Sequence, residues 1–323
     1  MMSNVLSVGL GLMLLVFAGD ALVRGAVNLS LRLGIPSLVV GLTVVAFGTS
    51  APELLVSIKA VLDKAPGIAL GNVVGSNIAN VLLVLGIPAM ITVIHSSELG
   101  LNRSYLTMLA ATLLFIAVAF MGPITWWHGL ILLAGLVMMM FDNYCTARAH
   151  RSACAADAAL AGACEEEELE GADPSLPWWK IIAFLVVGLV GLPLGADFLV
   201  EGAASIARSH GISEAVIGLT LVAVGTSLPE LATTVIAAFK KQADVAMGTV
   251  IGSNVFNLLG IIGVAGFVGK IDVPLSMLQS DLWVMLAASV ILVPFILMRH
   301  NITRAVGVVF VLLYLAYTAS LVL

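Results

Sequence analysis

An internal repeat constrains the fold of this chain more than any other feature of the sequence. The segment GLTVVAFGTSAPEL, which starts at Gly41, returns as GLTLVAVGTSLPEL at Gly218, an offset of 177 residues. The same offset aligns GNVVGSNIANVLLVLG from Gly71 with GTVIGSNVFNLLGIIG from Gly248, without a gap. Self-similarity at one fixed offset indicates that the chain contains two copies of a single structural unit.

Apolar stretches fill most of both copies. Hydrophobic residues make up 61% of the 323 residues, and charged residues only 10%. Runs of roughly twenty apolar residues are long enough to cross the hydrocarbon core of a membrane as helices. We therefore predict an all-α polytopic membrane protein that is embedded in the lipid bilayer and has no sizeable soluble domain. Nothing in this composition indicates a nucleic-acid partner, and the sequence leaves the oligomeric state open, a monomer included.

Each copy divides into five predicted spans. In the first copy they cover about 5–30, 36–62, 67–93, 104–120 and 125–143, and their counterparts follow Pro177. Because successive helices alternate in direction, an odd number of spans places the second copy upside down relative to the first. We predict ten transmembrane helices in two inverted repeats with broken helices at the midplane. The repeats occupy residues 1–143 and 178–323, and an acidic linker at 144–177 joins them.

The positive charges predict an orientation. Ten of the fourteen Lys and Arg residues fall on one side of this topology, which is typical of the cytoplasmic side. The four on the other side are Lys59, Lys64, Arg208 and Lys270. We therefore predict a multi-pass protein of the cell inner (plasma) membrane, with both termini outside and the linker in the cytoplasm.

Two glutamates are predicted at the centre of the membrane. Within residues 34–58 Glu53 is the only charged residue, and it lies eleven positions before Lys64. At a helical rise of about 1.5 Å per residue this distance is about 16 Å, close to half of a hydrocarbon core of about 30 Å. Glu230 lies ten positions before Lys240, so the second copy repeats the placement. Each inverted half therefore contributes one carboxylate near the midplane.

The sequence around these glutamates predicts broken helices. Ser50 with Glu53, and Ser227 with Glu230, have the S-x-x-E spacing of a capping box. A helix that needs a cap in the middle of a span is a broken helix, and such breaks line cavities. A capping role alone does not require a glutamate, whose insertion at the membrane centre costs at least ~2.5 kcal/mol. Its use in both copies argues for a cation partner.

Oxygen-bearing side chains accompany both glutamates. Thr49 precedes Glu53 by one helical turn, and Ser76 and Asn80 are spaced in the same way, so each pair shares a helix face. The ten predicted site residues are Thr49, Ser50, Glu53, Ser76, Asn80, Thr226, Ser227, Glu230, Ser253 and Asn257. Oxygen ligands with two negative charges suit Ca²⁺ or Na⁺ and do not suit zinc or copper. Mg²⁺ fits less well because it gives up its water reluctantly.

Glycines next to the serine and asparagine pairs offer a second interpretation of the same motif. Gly71, Gly75, Gly248 and Gly252 allow helices to approach closely, so the GSN pattern could also reflect helix packing alone. The asparagines are harder to explain in this way, since an amide at the midplane needs partners.

The motifs GTSAPE with GSNIAN, and GTSLPE with GSNVFN, resemble the paired alpha repeats of the sodium/calcium exchanger superfamily, in particular its prokaryotic calcium/sodium antiporters. The resemblance implies exchange of several Na⁺ for one Ca²⁺ at a shared site, with the first and sixth spans sliding across a fixed core. It implies that Glu53 and Glu230 are the central ligands, surrounded by the threonines and serines named above. It also implies that the backbone carbonyls of Ala46 and Ala223 help to bind Na⁺.

One residue departs from the pattern of that superfamily. Several members have Asp where this chain has Asn257, so the site lacks a third carboxylate. The departure leaves open the Na⁺ stoichiometry and any dependence on K⁺, whereas the Ca²⁺ site is retained.

Three other functions were weighed against exchange of Na⁺ for Ca²⁺. A proton-coupled calcium exchanger is the nearest, because a midplane glutamate could carry protons, although proton-coupled relatives differ at the GTS-P-E motif. A passive channel would conduct without counterflow. An intramembrane enzyme is disfavoured, because the spans contain neither H-E-x-x-H nor a Ser/His or paired-Asp arrangement. We expect no enzymatic activity and no cofactor, and the only ligands expected are the transported Ca²⁺ and Na⁺.

Overall fold

A computed structural model describes residues 2–94, 101–161, 173, 175–210 and 223–322 of the protein. In these residues the fold is helical, and the only extended pairing consists of two isolated β-bridges. By length and composition, eight of the described helices are able to cross a membrane. A bent pair of helices adds a ninth if it is counted as one span.

The helices are numbered here in chain order. They are α1 (Met2–Leu33), α2 (Ser37–Thr49), α3 (Ala51–Leu62), α4 (Pro66–Ile91), α5 (Leu101–Phe120), α6 (Trp126–Ala161), α7 (Trp178–Ser209), α8 (Leu228–Phe239), α9 (Ala243–Val268), α10 (Met277–Ile296) and α11 (Arg304–Val322). A short helical turn, Ala223–Gly225, precedes α8. The part of the repeat that lies at 211–222 falls outside the described residues.

The predicted boundary of the first repeat does not coincide with a break in structure. The sequence predicts that the linker between the repeats starts at residue 144, but α6 continues without interruption to Ala161. This part of α6 is rich in alanine, the residue with the highest helix propensity, which explains why the helix extends. The acidic run at 165–170 lies outside the described residues.

The end of the linker is attached to α1. The Arg32 guanidinium donates a hydrogen bond of 3.0 Å to the carbonyl oxygen of Leu176. The backbone N–H of Asp173 donates to the Asn28 side chain at 2.9 Å. These contacts place the start of α7 next to the end of α1.

Helices α1 and α7, which are equivalent in the two repeats, pack directly against each other. A Cβ atom added at Gly188 would lie 2.5 Å from the Leu22 Cβ, and one added at Gly195 would lie 2.9 Å from the Leu15 amide nitrogen. Small residues at such contacts let two membrane helices approach closely. The two helices therefore form a tight pair with its own buried apolar cluster, separate from the main core.

The main core surrounds α4 and α9, the helices that carry the GSN motifs. α9 is almost entirely buried, and most of α4 is buried as well. A Cβ at Gly248 would lie 2.7 Å from the Leu38 carbonyl oxygen, and one at Gly252 would lie 2.5 Å from that of Leu42. The predicted close packing is thus confirmed for α9 against α2. For Gly71 and Gly75 of α4 the partner expected from the repeat is the segment at 211–222, which lies outside the described residues.

Candidate ion-binding site

Both predicted helix breaks are present and have nearly the same geometry. Ser50, between α2 and α3, has φ −86° and ψ 7°, and Ser227, before α8, has φ −89° and ψ 4°. The axes of α2 and α3 differ by 43°. Pro52 and Pro229 each lie in the first turn of the following helix, where proline is tolerated. The break is therefore a property of the repeated sequence and occurs in both halves.

The predicted capping boxes do not form. Neither Ser50 nor Ser227 makes a side-chain hydrogen bond that caps the helix after it. The Ser50 hydroxyl instead donates to the Glu230 carboxylate at 3.1 Å. In a capping box the serine oxygen would instead accept a hydrogen bond from a backbone N–H of the following helix. The capping prediction is therefore wrong, because the hydroxyl at the first break is directed to the glutamate of the other half.

The two glutamates meet inside the protein. Glu53 is 1% exposed and Glu230 is fully buried, and their carboxylates are near enough to repel each other. Each lies in the first turn of its helix, α3 or α8, where the positive end of the helix dipole favours an anion. In the described part of the chain, no Lys, Arg or His side chain pairs with either carboxylate. The site therefore holds two acidic groups without a protein counter-charge.

Several buried polar atoms of the glutamates and of the other predicted site residues have no hydrogen-bond partner among the described residues. They are Glu53 Oε2, Glu230 Oε2, Asn80 Oδ1, Ser227 Oγ, Ser253 Oγ and both amide atoms of Asn257. Leaving one buried polar atom unpaired costs about 1–3 kcal/mol. Oxygen atoms are the ligands of hard cations. The oxygens in this group therefore form a set that a bound Ca²⁺ or Na⁺ would satisfy.

A π-helical segment accompanies each of the two predicted asparagines. Asn80 begins the segment Asn80–Val84 of α4, and Asn257 lies in Phe256–Ile261 of α9. A π-bulge inserts one extra residue into a helical turn and is frequent at functional sites. The sequence analysis did not predict these segments, because the apolar residues around them do not reveal a change of helical pitch.

The structure adds a pair of asparagines that the sequence analysis did not select. Asn77 and Asn254 are the asparagines of the two GSN motifs and are equivalent under the offset of 177 residues. Asn254 accepts a hydrogen bond from the Asn80 amide at 3.1 Å, and its own amide donates to the Asn77 carbonyl oxygen at 3.5 Å. These bonds join α4 to α9 at the level of the site. Their presence in both copies was a signal that could have identified them.

A further asparagine was also missed. The Asn72 amide donates to the Glu53 carbonyl oxygen at 3.3 Å and to the Ser57 hydroxyl at 3.1 Å. It therefore holds α4 against the first turn of α3. No sequence signal marked it, since the equivalent residue of the second copy is Thr249.

The remaining predicted residues differ in their surroundings. Thr49 is buried and lies next to the Glu230 carboxylate, and its hydroxyl is 3.4 Å from the Ala46 carbonyl oxygen. That carbonyl also accepts the Ser50 amide at 3.1 Å. Ser76 is buried, and Thr226 is half-buried. Ala223 begins the helical turn before the second break.

Comparison with known proteins assigns the family. A sequence model for the family described as "Sodium/calcium exchanger protein" matches residues 3–141 and 180–323, nearly the whole chain. The chain belongs to the sodium/calcium exchanger family. The sodium/calcium exchanger MaX1 of Methanosarcina acetivorans is 35% identical to this exchanger, with 98% of each chain covered. The putative antiporter CaxA of Alkalimonas amylolytica is 34% identical, with 95% of each chain covered.

Solved structures agree with this assignment. The sodium-calcium exchanger NCX_Mj, soaked with 2.5 mM Na⁺ and 0.1 mM Ca²⁺, superposes with a TM-score of 0.82 at 31% identity and 99% coverage of both chains. The same protein soaked with 10 mM Na⁺ and no Ca²⁺ gives a TM-score of 0.81 at 33% identity. This exchanger is therefore a membrane transporter with the NCX_Mj fold, and it is not an enzyme.

Proposed function

We propose that the protein is a secondary active antiporter that exchanges Na⁺ for Ca²⁺ by alternating access at a site built from both repeats. The observation that supports this most is the meeting of Glu53 and Glu230, two buried carboxylates from different halves, each with an unpaired oxygen. Two such charges without a basic partner are costly unless cations neutralise them. The family match, and relatives named for sodium/calcium exchange, support the same conclusion.

The proposed ligands supply only oxygen atoms. We assign the ions to the side chains of Glu53, Glu230, Thr49, Thr226, Ser50, Ser227, Ser76, Ser253, Asn80 and Asn257 and to the carbonyls of Ala46 and Ala223. Two carboxylates neutralise one Ca²⁺, and the same oxygens accommodate Na⁺ in its place. Because the ions share ligands, we expect Na⁺ and Ca²⁺ to compete, which couples their movements.

Two β-bridges support the inverted arrangement of ten spans. Ile94 exchanges backbone hydrogen bonds with Ile302 at 3.1 and 3.0 Å, and Ile271 does so with Ile124 at 2.8 and 2.9 Å. The offset of 177 residues relates these bridges to within one residue. In each bridge a residue that follows the third span of one half, α4 or α9, pairs with a residue that precedes the last span of the other half, α11 or α6. We propose that α2 with α3 forms one span, and that α8 completes a span begun at 211–222.

We propose that both termini lie outside and the linker lies in the cytoplasm of a plasma-membrane protein, as the distribution of Lys and Arg predicts. In this orientation the C-terminal end of α8, next to Lys240, faces the cytoplasm. The C-terminal end of α3, next to Asp63, faces the outside.

An ion pair closes the cytoplasmic end between α1 and α8. Lys240 lies 2.5 Å from the Asp20 carboxylate, which also pairs with Arg24 at 2.8 Å. Under the repeat, Asp20 corresponds to Asp197 and Lys240 corresponds to Asp63, both of which are exposed. If the halves exchange conformations, Asp197 approaches Asp63, so two carboxylates take the place of the carboxylate and ammonium of Asp20 and Lys240. We propose that this difference favours the state that is closed toward the cytoplasm.

Lys240→Met is expected to weaken this closure. A partly exposed ion pair contributes about 1 kcal/mol, so the population open toward the cytoplasm should rise about fivefold. Hydrogen–deuterium exchange at residues 15–30, measured without Na⁺ and Ca²⁺, should increase. Lys241→Met, the same charge change at the next residue, is the control and should leave the exchange unchanged. Equal exchange in the two variants would contradict the proposed role of the ion pair.

The coupling ion is tested in proteoliposomes loaded with Na⁺. We expect uptake of isotopic Ca²⁺ to require the outward Na⁺ gradient and to stop when choline replaces Na⁺. A matched set of vesicles with a pH gradient and no Na⁺ serves as the comparison. Uptake driven by the pH gradient and indifferent to Na⁺ would assign proton coupling instead, and uptake without any counter-ion would indicate a channel.

A further inference from the structure

The proposed ligand Asn80 is hydrogen-bonded to an asparagine of the other half. Its amide nitrogen donates to the Oδ1 atom of Asn254 at 3.1 Å, and each of the two residues is only 1% exposed. A carboxamide has an acceptor oxygen at one end and an N–H donor at the other. Because this bond uses the Asn80 nitrogen, the Asn80 Oδ1 atom is left for another partner, and no described residue supplies one. A buried oxygen of this kind is available to a cation.

The direction of the Asn80 amide decides whether it attracts or repels a cation. Rotation by 180° exchanges its oxygen and its NH₂ group with little change in shape. In one orientation a cation meets an oxygen, the ligand that Ca²⁺ uses, and in the other it meets N–H groups whose partial positive charge repels it. A ligand that spends part of its time in the wrong orientation binds more weakly, because the binding-competent state is only partly populated.

Contacts at the other end of the Asn254 side chain fix its own orientation. The Asn254 amide nitrogen donates to the Asn77 carbonyl oxygen at 3.5 Å and to the Met108 sulfur of α5 at 3.7 Å. Both bonds are long, but both require the same orientation. Turning the amide over would place its oxygen against an oxygen and a sulfur, which are acceptors as well. Asn254 therefore presents its oxygen to Asn80, which must answer with its nitrogen.

A hydroxyl of α8 joins the segment that Asn80 begins to the helix of the second glutamate. Thr234 donates to the carbonyl oxygen of Val84 at 3.2 Å and to that of Glu230 at 2.8 Å. Val84 ends the π-helical segment Asn80–Val84 of α4. The segment is thus packed against the first turns of α8, which carry Glu230. The orientation of the Asn80 amide is therefore set beside the proposed ion site.

We infer that Asn254 is a positioning residue for ion binding, which holds the Asn80 amide so that its oxygen faces the transported cation. The inference rests on the proposed function, in which Asn80 is an ion ligand, and it adds a residue that does not itself touch the ion. The repeat equivalent of Asn254 bonds differently, since the Asn77 amide donates to the Val73 carbonyl oxygen of its own helix at 2.7 Å. The orienting bond is thus a contribution of the second half to a ligand of the first.

Equilibrium binding of isotopic Ca²⁺ to the purified full chain, without Na⁺, tests this role. Asn254→Leu keeps a side chain of similar length but removes the acceptor of the Asn80 amide. The Kd for Ca²⁺ should rise about tenfold, the lower end of the effect of removing the partner of a metal ligand. Asn254→Ala removes the same acceptor without adding an apolar branch and should give the same rise. Asn143→Leu, the same change at a buried asparagine of α6 outside the proposed ligands, is the control and should leave the Kd within about twofold.

A second background separates orientation from packing. In Asn80→Asp both ends of the side chain are oxygens, so neither orientation is wrong and the orienting bond has no effect on the ligand. Asn254→Leu should then change the Kd by no more than about twofold, whereas a packing defect would raise it by the same factor in both backgrounds. An unchanged Kd with Asn80 in place, or equal factors in the two backgrounds, would overturn the inference. Wild-type protein that binds Ca²⁺ but does not exchange it for Na⁺ in vesicles would refute the proposed function alone.

Discussion

Glu53→Gln and Glu230→Gln are each expected to abolish Na⁺-driven Ca²⁺ uptake while the protein still folds and inserts. Glutamine keeps the size and the polarity of the side chain but removes one of the two charges that would neutralise Ca²⁺. Each carboxylate would form a buried ion pair with the bound Ca²⁺, and removing one member of such a pair costs about 3–5 kcal/mol. Since 1.4 kcal/mol is a factor of ten in affinity, the uptake rate at limiting Ca²⁺ should fall by about 100-fold or more. Isotopic Ca²⁺ uptake into Na⁺-loaded proteoliposomes measures the loss.

Two further variants separate the charge at this site from charge elsewhere. Glu201→Gln makes the same chemical change at an exposed position of α7 and should leave uptake unchanged. Asn257→Asp should retain exchange and mainly alter its dependence on Na⁺ or H⁺, because it adds a third carboxylate to the proposed ligands. If both midplane glutamine variants exchange Na⁺ for Ca²⁺ at nearly the wild-type rate, the proposed site is wrong.

Gly252→Ala is expected to disrupt the protein, whereas Gly135→Ala in α6 is expected to be tolerated, because a Cβ added at Gly135 would lie 3.4 Å from the Leu259 Cδ1, an ordinary van der Waals contact. The added methyl at Gly252 would lie 2.5 Å from the Leu42 carbonyl oxygen and 2.7 Å from the Ala46 Cβ. Much of that contact is with backbone, which cannot move without displacing α2 from α9. Overpacking of this kind costs about 1–3 kcal/mol or more, and it also shifts the adjacent Ser253.

The two glycine variants should differ in both stability and transport. We expect a lower thermal midpoint of unfolding for Gly252→Ala and an uptake rate reduced by about tenfold or more, as 1.4 kcal/mol gives a factor of ten. Gly135→Ala makes only ordinary contacts and should unfold near the wild-type temperature. Equal thermal midpoints in the two variants would contradict the tight packing of Gly252 against α2.

Local signals in the sequence were sufficient for several features. The apolar runs predicted the membrane helices, because a helix is the form in which a single segment satisfies its own backbone inside lipid. Pro52 and Pro229 each lie two residues after a serine, Ser50 or Ser227, and they predicted a helix break at that serine. Proline lacks an N–H and is therefore tolerated only in the first turn of a helix. Glu53 and Glu230 are both buried, and their position near the midplane stays a prediction from counting residues at a known helical rise.

Partners from the other half could not be predicted in the same way. The predicted cap would have joined the Ser50 side chain to the backbone N–H of Glu53, yet the hydroxyl bonds to Glu230, which is 180 positions away in the sequence. Asn254 accepts from Asn80 for the same reason, because two helices from different repeats cross at this level. Periodicity reports which residues share a helix face, and it does not report which other helix that face meets.

The sequence by itself therefore determined the helices, their duplication and the two buried charges, all of which depend on interactions within one segment or on its transfer into lipid. The tertiary structure alone decided the π-helical segments, the bond from Ser50 to Glu230 and the bond from Asn80 to Asn254. The repeat-equivalent side chains of Ser227 and Asn257 make no hydrogen bond among the described residues. Two copies of one motif can be identical in local preference and still differ in environment, because packing depends on the whole fold.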